Sequence, residues 1–157
     1  MHFDNRFLVF SVAGEQYAIA LKGLKEIMPQ QEITRVPFTP DDLMGVLNLR
    51  GQVVSVVDLR IRFGLPAGAK SAEMSIMILE HQKDLVGLCV DSVDFVVNLE
   101  PEKLEPSPNF SNSSLNRYTR AVARIDRQLI VILSSEKLFS FEESGVTPTE
   151  GIPAAVA

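Results

Sequence analysis

The sequence predicts an all-β protein, two small barrels with few short helices, and three observations lead there. Short apolar runs rich in Val, Ile, Leu and Phe recur along the chain, each of strand length. Polar or glycine-containing turns separate them, as in Ala13-Gly14-Glu15-Gln16, Arg50-Gly51 and His81-Gln82-Lys83-Asp84. The two halves of the chain also repeat one plan. Many short strands joined by tight turns, with little helix between them, favour small barrels over a parallel sheet.

Taken in order, Phe7–Val12 and Tyr17–Leu21 read as strands around the first turn. Phe7 to Ala13 follows Arg6 and ends near small residues, as a secretion signal would, but Asp4 occupies what would be its positive region. Thr39-Pro40-Asp41-Asp42 reads as a short helical turn, with Thr39 as its cap, Pro40 in the first position and both aspartates at the positive end. Val46–Leu49 and Val53–Asp58 then pair around Arg50-Gly51, where Gly51 can take φ > 0. Val53 to Val57 is β-branched apart from Ser55 and is expected to be packed on both faces, which fixes Arg50 at the rim of a rigid hairpin. Pro66 to Glu73, rich in Pro, Gly, Ala and Ser, marks an internal boundary. Ser75–Glu80, Leu85–Val90, Phe95–Leu99, Arg120–Ile125 and Leu129–Leu133 read as further strands, and a helix is expected from about Ser134 to Phe141. The organisation that follows is one domain over 6–142, with a first subdomain at about 14–73, a second at about 74–142 that strand 7–12 is a candidate to join, and a disordered tail at 143–157.

The repeat is visible residue by residue. Setting Gln16–Ile27 above Leu85–Val96 matches Ile19 with Leu88, Leu21 with Val90, Leu24 with Val93 and Ile27 with Val96. Setting Gly45–Phe63 above Ala121–Phe139 matches Val46 with Val122, Leu49 with Ile125, Val56 with Ile132 and Phe63 with Phe139, and lays Arg50-Gly51 over Asp126-Arg127.

Composition narrows the function. A chain of 157 residues that is 46% hydrophobic, with mean hydropathy +0.14, can build a core without disulfides. The single cysteine, Cys89, lies between Leu88 and Val90 and is expected to be a buried thiol. The net charge of −5 argues against nucleic acid, which requires a clustered cationic excess. No apolar run approaches the ~18–20 residues that a membrane span needs.

Groups for chemistry are scarce. The two histidines are His2 near the start and His81 in a turn, and no Cys/His cluster, phosphate-cradling glycine loop or strand–Ser–helix elbow is present. Asp58 and Asp91 each end a strong strand, where an aspartate ordinarily bonds turn backbone. No catalytic, metal or cofactor residues are assigned, and an enzyme is the weakest reading.

The segment Gly45-Val46-Leu47-Asn48-Leu49-Arg50-Gly51, followed by Val53-Val54-Ser55-Val56-Val57-Asp58-Leu59-Arg60, closely resembles the signature of CheW-type chemotaxis coupling proteins. Phe7-Leu8-Val9-Phe10 to Tyr17-Ala18-Ile19, Glu26-Ile27-Met28 and Val86 to Val93 match the family's pattern as well, so the likeness runs from about Arg6 to Phe141. Ser55 stands where the family often has proline, and a serine there restores a ladder hydrogen bond. The resemblance implies two intertwined five-stranded SH3-like barrels without catalysis. It further implies that the chain joins the helical hairpin tip of a chemoreceptor to the regulatory domain of a CheA-type histidine kinase, in the cytoplasm, at receptor arrays on the inner membrane. The positions that correspond to receptor contacts are Leu24, Glu26, Gly45, Arg50 and Val96. Leu24 and Val96 are taken to occupy equivalent places in the repeat, flanking one groove in which a helix would be read through anchors at i, i+3 and i+4.

Two alternatives stand beside that reading. Similar adaptors serve twitching and surface-sensing arrays. A small-ligand or oligonucleotide-binding barrel would want exposed aromatics and basic residues in a groove, whereas the phenylalanines here sit mostly in strand-like runs.

Overall fold

A hairpin of β1 (Arg6–Val12) and β2 (Glu15–Ala20) leads into β3 (Leu24–Pro29), and a second hairpin, β4 (Leu43–Leu49) and β5 (Gln52–Asp58), runs into the one-turn helix α1 (Leu59–Arg62). The plan then repeats with β6 (Ser75–His81), β7 (Asp84–Val90), β8 (Ser92–Asn98), the two-residue β9 (Leu104–Glu105), helix α2 (Ser113–Tyr118), β10 (Thr119–Ile125), β11 (Gln128–Leu133) and α3 (Ser135–Leu138). This computed structural model describes residues 5–66, 68 and 73–139. The expected tail, most of the Pro66–Glu73 boundary and the last residues of the helix expected to reach Phe141 lie outside the described residues.

All four tight hairpins turn alike. Both central residues have φ > 0 at Ala13/Gly14 (52° and 82°), Arg50/Gly51 (51° and 87°), Gln82/Lys83 (52° and 74°) and Asp126/Arg127 (49° and 69°). This turn matches the right-handed twist of the flanking strands. Gly51 takes φ > 0 as its position requires, and Arg50 takes it too. Asn48 Oδ1 accepts from the Gly51 amide at 2.7 Å and secures the reversal.

The strands form two sheets, in the orders β8-β1-β2-β11-β10-β9 and β3-β6-β7-β5-β4. After β2 the chain crosses over, and β3 pairs with β6. After β7 it crosses back, and β8 pairs with β1. Each third strand therefore completes the other hairpin's sheet, and the two SH3-like barrels are intertwined. The continuation of each exchanged strand returns along the far edge of the sheet it has joined. Thr34 bridges Val46 on β4, and β9 pairs with Val122 and Ala123 on β10. Val46 and Val122 are partners in the sequence repeat. The expected division near residue 73 cuts across both sheets, because β2 lies with β10 and β11 while β6 and β7 lie with β4 and β5. Strand β1 sits in the sheet of β10 and β11.

Alternation sorts side chains into three interiors. Phe7 and Val9 of β1 join Ala18, Ala121, Ala123, Ile130 and Ile132 inside one barrel, and Val54 and Val56 join Leu47, Ile76, Ile78 and Cys89 inside the other. The opposite faces of these strands send Leu8, Phe10, Val57, Met77, Leu88 and Leu133, among others, into one shared core. Residues 54–57 are buried throughout, as a strand packed on both faces should be.

Segment 39–42 does not form the expected helical turn. The Leu43 amide donates to the Pro40 carbonyl at 3.1 Å and the Thr39 hydroxyl to the Val36 carbonyl at 2.8 Å, so Thr39 caps nothing. The ladder with β5 begins at once, Leu43 opposite Val57, and leaves no room for a helix to propagate. Asp42 instead accepts from Arg62 Nε at 2.7 Å. Strand β3 escapes the sequence pattern because its residues alternate between half-buried and exposed without an apolar run. Helix α2 is capped by Asn112, whose side chain accepts from the Leu115 amide at 2.9 Å.

Gly45 has φ 145°, and a Cβ there would lie 2.1 Å from the Thr34 carbonyl oxygen, so Gly45→Ala must strain the backbone or part the Thr34–Val46 bridge. Urea unfolding should show a loss of about 1–3 kcal/mol. Burial, with Asp58 and Asp91 nearby, pushes the Cys89 thiol from 9.0 up to about 12. A maleimide should leave native protein unlabelled at neutral pH and label it stoichiometrically once unfolded. The unfolded thiol gives up its proton first, so this group's contribution to stability falls as pH rises between those two values.

Candidate functional site

The Arg50–Gly51 turn brings its guanidinium to β3. Arg50 Nη2 donates to Glu26 Oε1 at 2.6 Å, an ion pair between two of the residues singled out from the sequence. The Arg50 side chain keeps 72% of its surface exposed and that of Glu26 31%, so the pair faces solvent. The hydrogen bond from Arg50 holds the Glu26 carboxyl below its usual range, and the same bond raises Arg50. Strands β3 and β4 are the two edges of their sheet, so the pair ties one edge to the turn that ends the other.

The remaining three candidates divide. Leu24 opens β3 opposite Leu79 and is half-buried against the shared core. Gly45 is buried on β4, and the approach of the Thr34 backbone accounts for it. Val96 stands on β8, in the other barrel's sheet, and is 50% exposed. In the repeat its counterpart is Ile27, itself 42% exposed, while Leu24 corresponds to Val93, which packs on the shared core. The expected equivalence of Leu24 and Val96 is therefore corrected to Ile27 and Val96, because the strand register follows the repeat and not the likeness of side chains. Phe95, 43% exposed, adjoins Val96 on this edge strand, and sequence reasoning misses it because exposure and edge position are set by the sheet.

Asp58 and Asp91 come near each other with a cation between them. Asp58 Oδ1 accepts from the Arg60 amide at 2.9 Å, and the Arg60 guanidinium grips Asp91 in a fork at 3.0 and 2.5 Å. Asp91 also accepts from the Ala13 amide at 2.8 Å, which bonds turn backbone as expected of it. Burial raises the Asp58 carboxyl; at Asp91 burial acts the same way, but the Arg60 hydrogen bond and the Ala13 amide outweigh it and the group lies below its usual range. The Arg60–Asp91 fork is a clamp across the crossover between barrels. Among the described residues no three His, Cys, Asp or Glu side chains are grouped to hold a metal ion.

Residues 6–143 match the family model described as CheW-like domain. The chain is 31% identical over 137 residues to the chemotaxis protein CheW of Klebsiella aerogenes, covering 87% of this chain and 82% of that protein. It is 30% identical over 139 residues to the chemotaxis protein CheW of Bacillus subtilis, covering 88% and 89%. Among solved structures, the scaffolding protein TtCheW from Thermoanaerobacter tengcongensis superposes with a TM-score of 0.79 at 31% identity, over 88% of this chain and 94% of that one. The matched stretch takes in both barrels and both exchanged strands, and this chain belongs to the CheW-like domain family.

Proposed function

We propose that this chain is a non-enzymatic scaffold coupling the cytoplasmic tips of chemoreceptors to a CheA-type histidine kinase. The observation that carries the reading is the Glu26–Arg50 pair, held at fixed geometry on a solvent-facing edge with exposed apolar side chains on the corresponding strands of both barrels. Its relatives are named as chemotaxis and scaffolding proteins, which supports the same role here.

In this reading a receptor helix lies between the two exchanged strands. Apolar side chains at Leu24 and Val96 meet anchors spaced i, i+3 and i+4 on the helix. Arg50 donates one arm of its fork to Glu26 and has further N–H groups for a helix carboxylate or carbonyl. Glu26 biases the choice against acidic neighbours. Gly45 acts from beneath, by letting the Thr34 segment close over β4. The regulatory domain of the kinase shares the double-barrel fold by family resemblance and docks barrel to barrel. The work is positional, with no bond made or broken. The chain operates in the cytoplasm at receptor arrays on the inner membrane, and among the described residues no helix is long and apolar enough to cross a membrane itself.

Arg50→Ala should weaken binding of a receptor hairpin by roughly tenfold or more, since truncating a charged contact desolvated in an interface is costly. Its melting temperature should stay nearly unchanged, because exposed ion pairs contribute little to stability. The same variant should raise the Glu26 pKa toward its ordinary value, read by NMR titration of the side-chain carboxyl, because the bond that lowers it is gone. Titration with the kinase regulatory domain should shift amides in a contact at the lower end for specific pairs, ~1,200 Å². No amide shift at high micromolar concentration would count against the reading.

A further inference from the structure

Strands β3 and β8 each carry one residue more than their ladders use. On β8 Phe95 pairs with Val9 and Val93 with Phe10, so Asp94 is the extra residue of a β-bulge. On β3 Glu26 pairs with Ile78 and Leu24 with Leu79, so Lys25 is the extra one. Leu24 corresponds to Val93 in the repeat, which makes Lys25 and Asp94 equivalent positions. Both bulges are tied down by side chains, those at Asp94 coming from β1, β2 and β8 itself and the one at Lys25 from β6. Asp94 accepts from Ser11 Oγ at 2.6 Å, Gln16 Nε2 at 2.9 Å and Ser92 Oγ at 2.9 Å, and Lys25 Nζ pairs with Glu80 at 2.9 Å.

The extra residues are not needed to fill the cores. Before each bulge, Leu24 and Val93 pack on the shared core; after it, Met28 and Val97 pack on the interior of a single barrel. A regular strand one residue shorter would place both anchors on the same faces, since side chains alternate with period two. What a bulge adds is a local bend and extra twist that re-aims the side chains around it. The residues that follow are Glu26–Ile27 on one strand and Phe95–Val96 on the other. Ile27, Phe95 and Val96 are three of the large apolar side chains left exposed among the described residues.

We infer that Lys25 and Asp94 are positioning residues: their bulges set the direction in which Glu26–Ile27 and Phe95–Val96 face a receptor helix. This rests on the proposed receptor-binding role and adds Ile27 and Phe95 to the residues that read the helix. The polar ties around Asp94 make its bulge the more rigid of the two. The wall carrying Phe95–Val96 is therefore the pre-set one, and the Lys25 bulge, held by one ion pair with both partners largely exposed, is the one that adjusts.

Deletion of Asp94 tests this, because it removes the bulge while every core anchor keeps its partner. The deletion variant, wild type and Asp94→Ala are each titrated with a receptor helical hairpin and, separately, with the kinase regulatory domain, alongside thermal melting. We expect the folded deletion variant to lose roughly tenfold in receptor affinity and to keep kinase-domain affinity within about twofold, and Asp94→Ala to show a smaller loss in the same direction. A general loss of structure would lower both affinities together, so the split between them is the discriminating readout. Unchanged receptor affinity in both variants, with wild type binding normally, would overturn this inference and leave the proposed function standing. If the deletion variant does not fold, Asp94→Ala decides alone: equal loss of both affinities makes the bulge structural only. A wild-type protein that binds no receptor hairpin overturns the proposed function, and this inference with it.

Discussion

Burial of one apolar core between the two barrels constrains everything else in this molecule. Leu8, Phe10, Val12, Tyr17 and Ile19 meet Met77, Leu79, Leu88 and Val90 there, with Val57, Phe63, Tyr118, Leu133 and Phe139. Each barrel by itself would expose a wall of this size to water, at ~25 cal/mol for every Å² of apolar surface. The strand exchange makes the arrangement topologically closed as well as apolar. With β3 completing one sheet and β8 the other, neither barrel can form without the chain of its partner. Strands that serve two cores must be apolar on both faces, which is why few large apolar side chains are exposed among the described residues.

Charged side chains at the seams pair across elements, although Asp42 Oδ1 is buried without a hydrogen-bond partner. Arg62 is almost fully buried, and its guanidinium meets Asp42, the carbonyl of Leu138 and the ring of Tyr118, which joins the helices that follow β5 and β11. A charge so placed is costly unless paired and hydrogen-bonded, so these partners are required once the arginine is buried. The Arg60–Asp91 fork does similar work where the chain crosses from β7 to β8. Because Asp91 is held below its usual range, its contribution is complete at neutral pH and disappears on acidification through that lowered value. These contacts fix the relative placement of the barrels and thereby of the surface between them.

That surface inherits its rigidity from the interior. Arg50 stands on a two-residue turn with both residues at positive φ, closed by Asn48 and followed by a strand buried from Val54 to Val57. The backbone beneath that side chain therefore has little freedom left to lose when it docks. Ile27 on β3 and Phe95 and Val96 on β8 hang from strands that pack against the cores, which limits how far these exposed side chains can move. Such a surface fits the scaffold role proposed above.

The sequence by itself determined the hairpins, the buried strands and the repeat, because those are written in local signals: β-branched runs, turn residues and apolar periodicity. Its central motif determined the family and marked Arg50. It did not determine that β3 is a strand, since Leu24–Pro29 lacks an apolar run and becomes a strand only because β6 offers an edge to it. Nor did it determine the division of the chain into barrels, because a contiguous split is indistinguishable from an exchange until the pairing of β3 and β8 is known. The Glu26–Arg50 pair and the contact beneath Gly45 were likewise settled by tertiary structure. Each joins residues far apart in the chain, and local pattern carries no information about which distant edge a strand will meet.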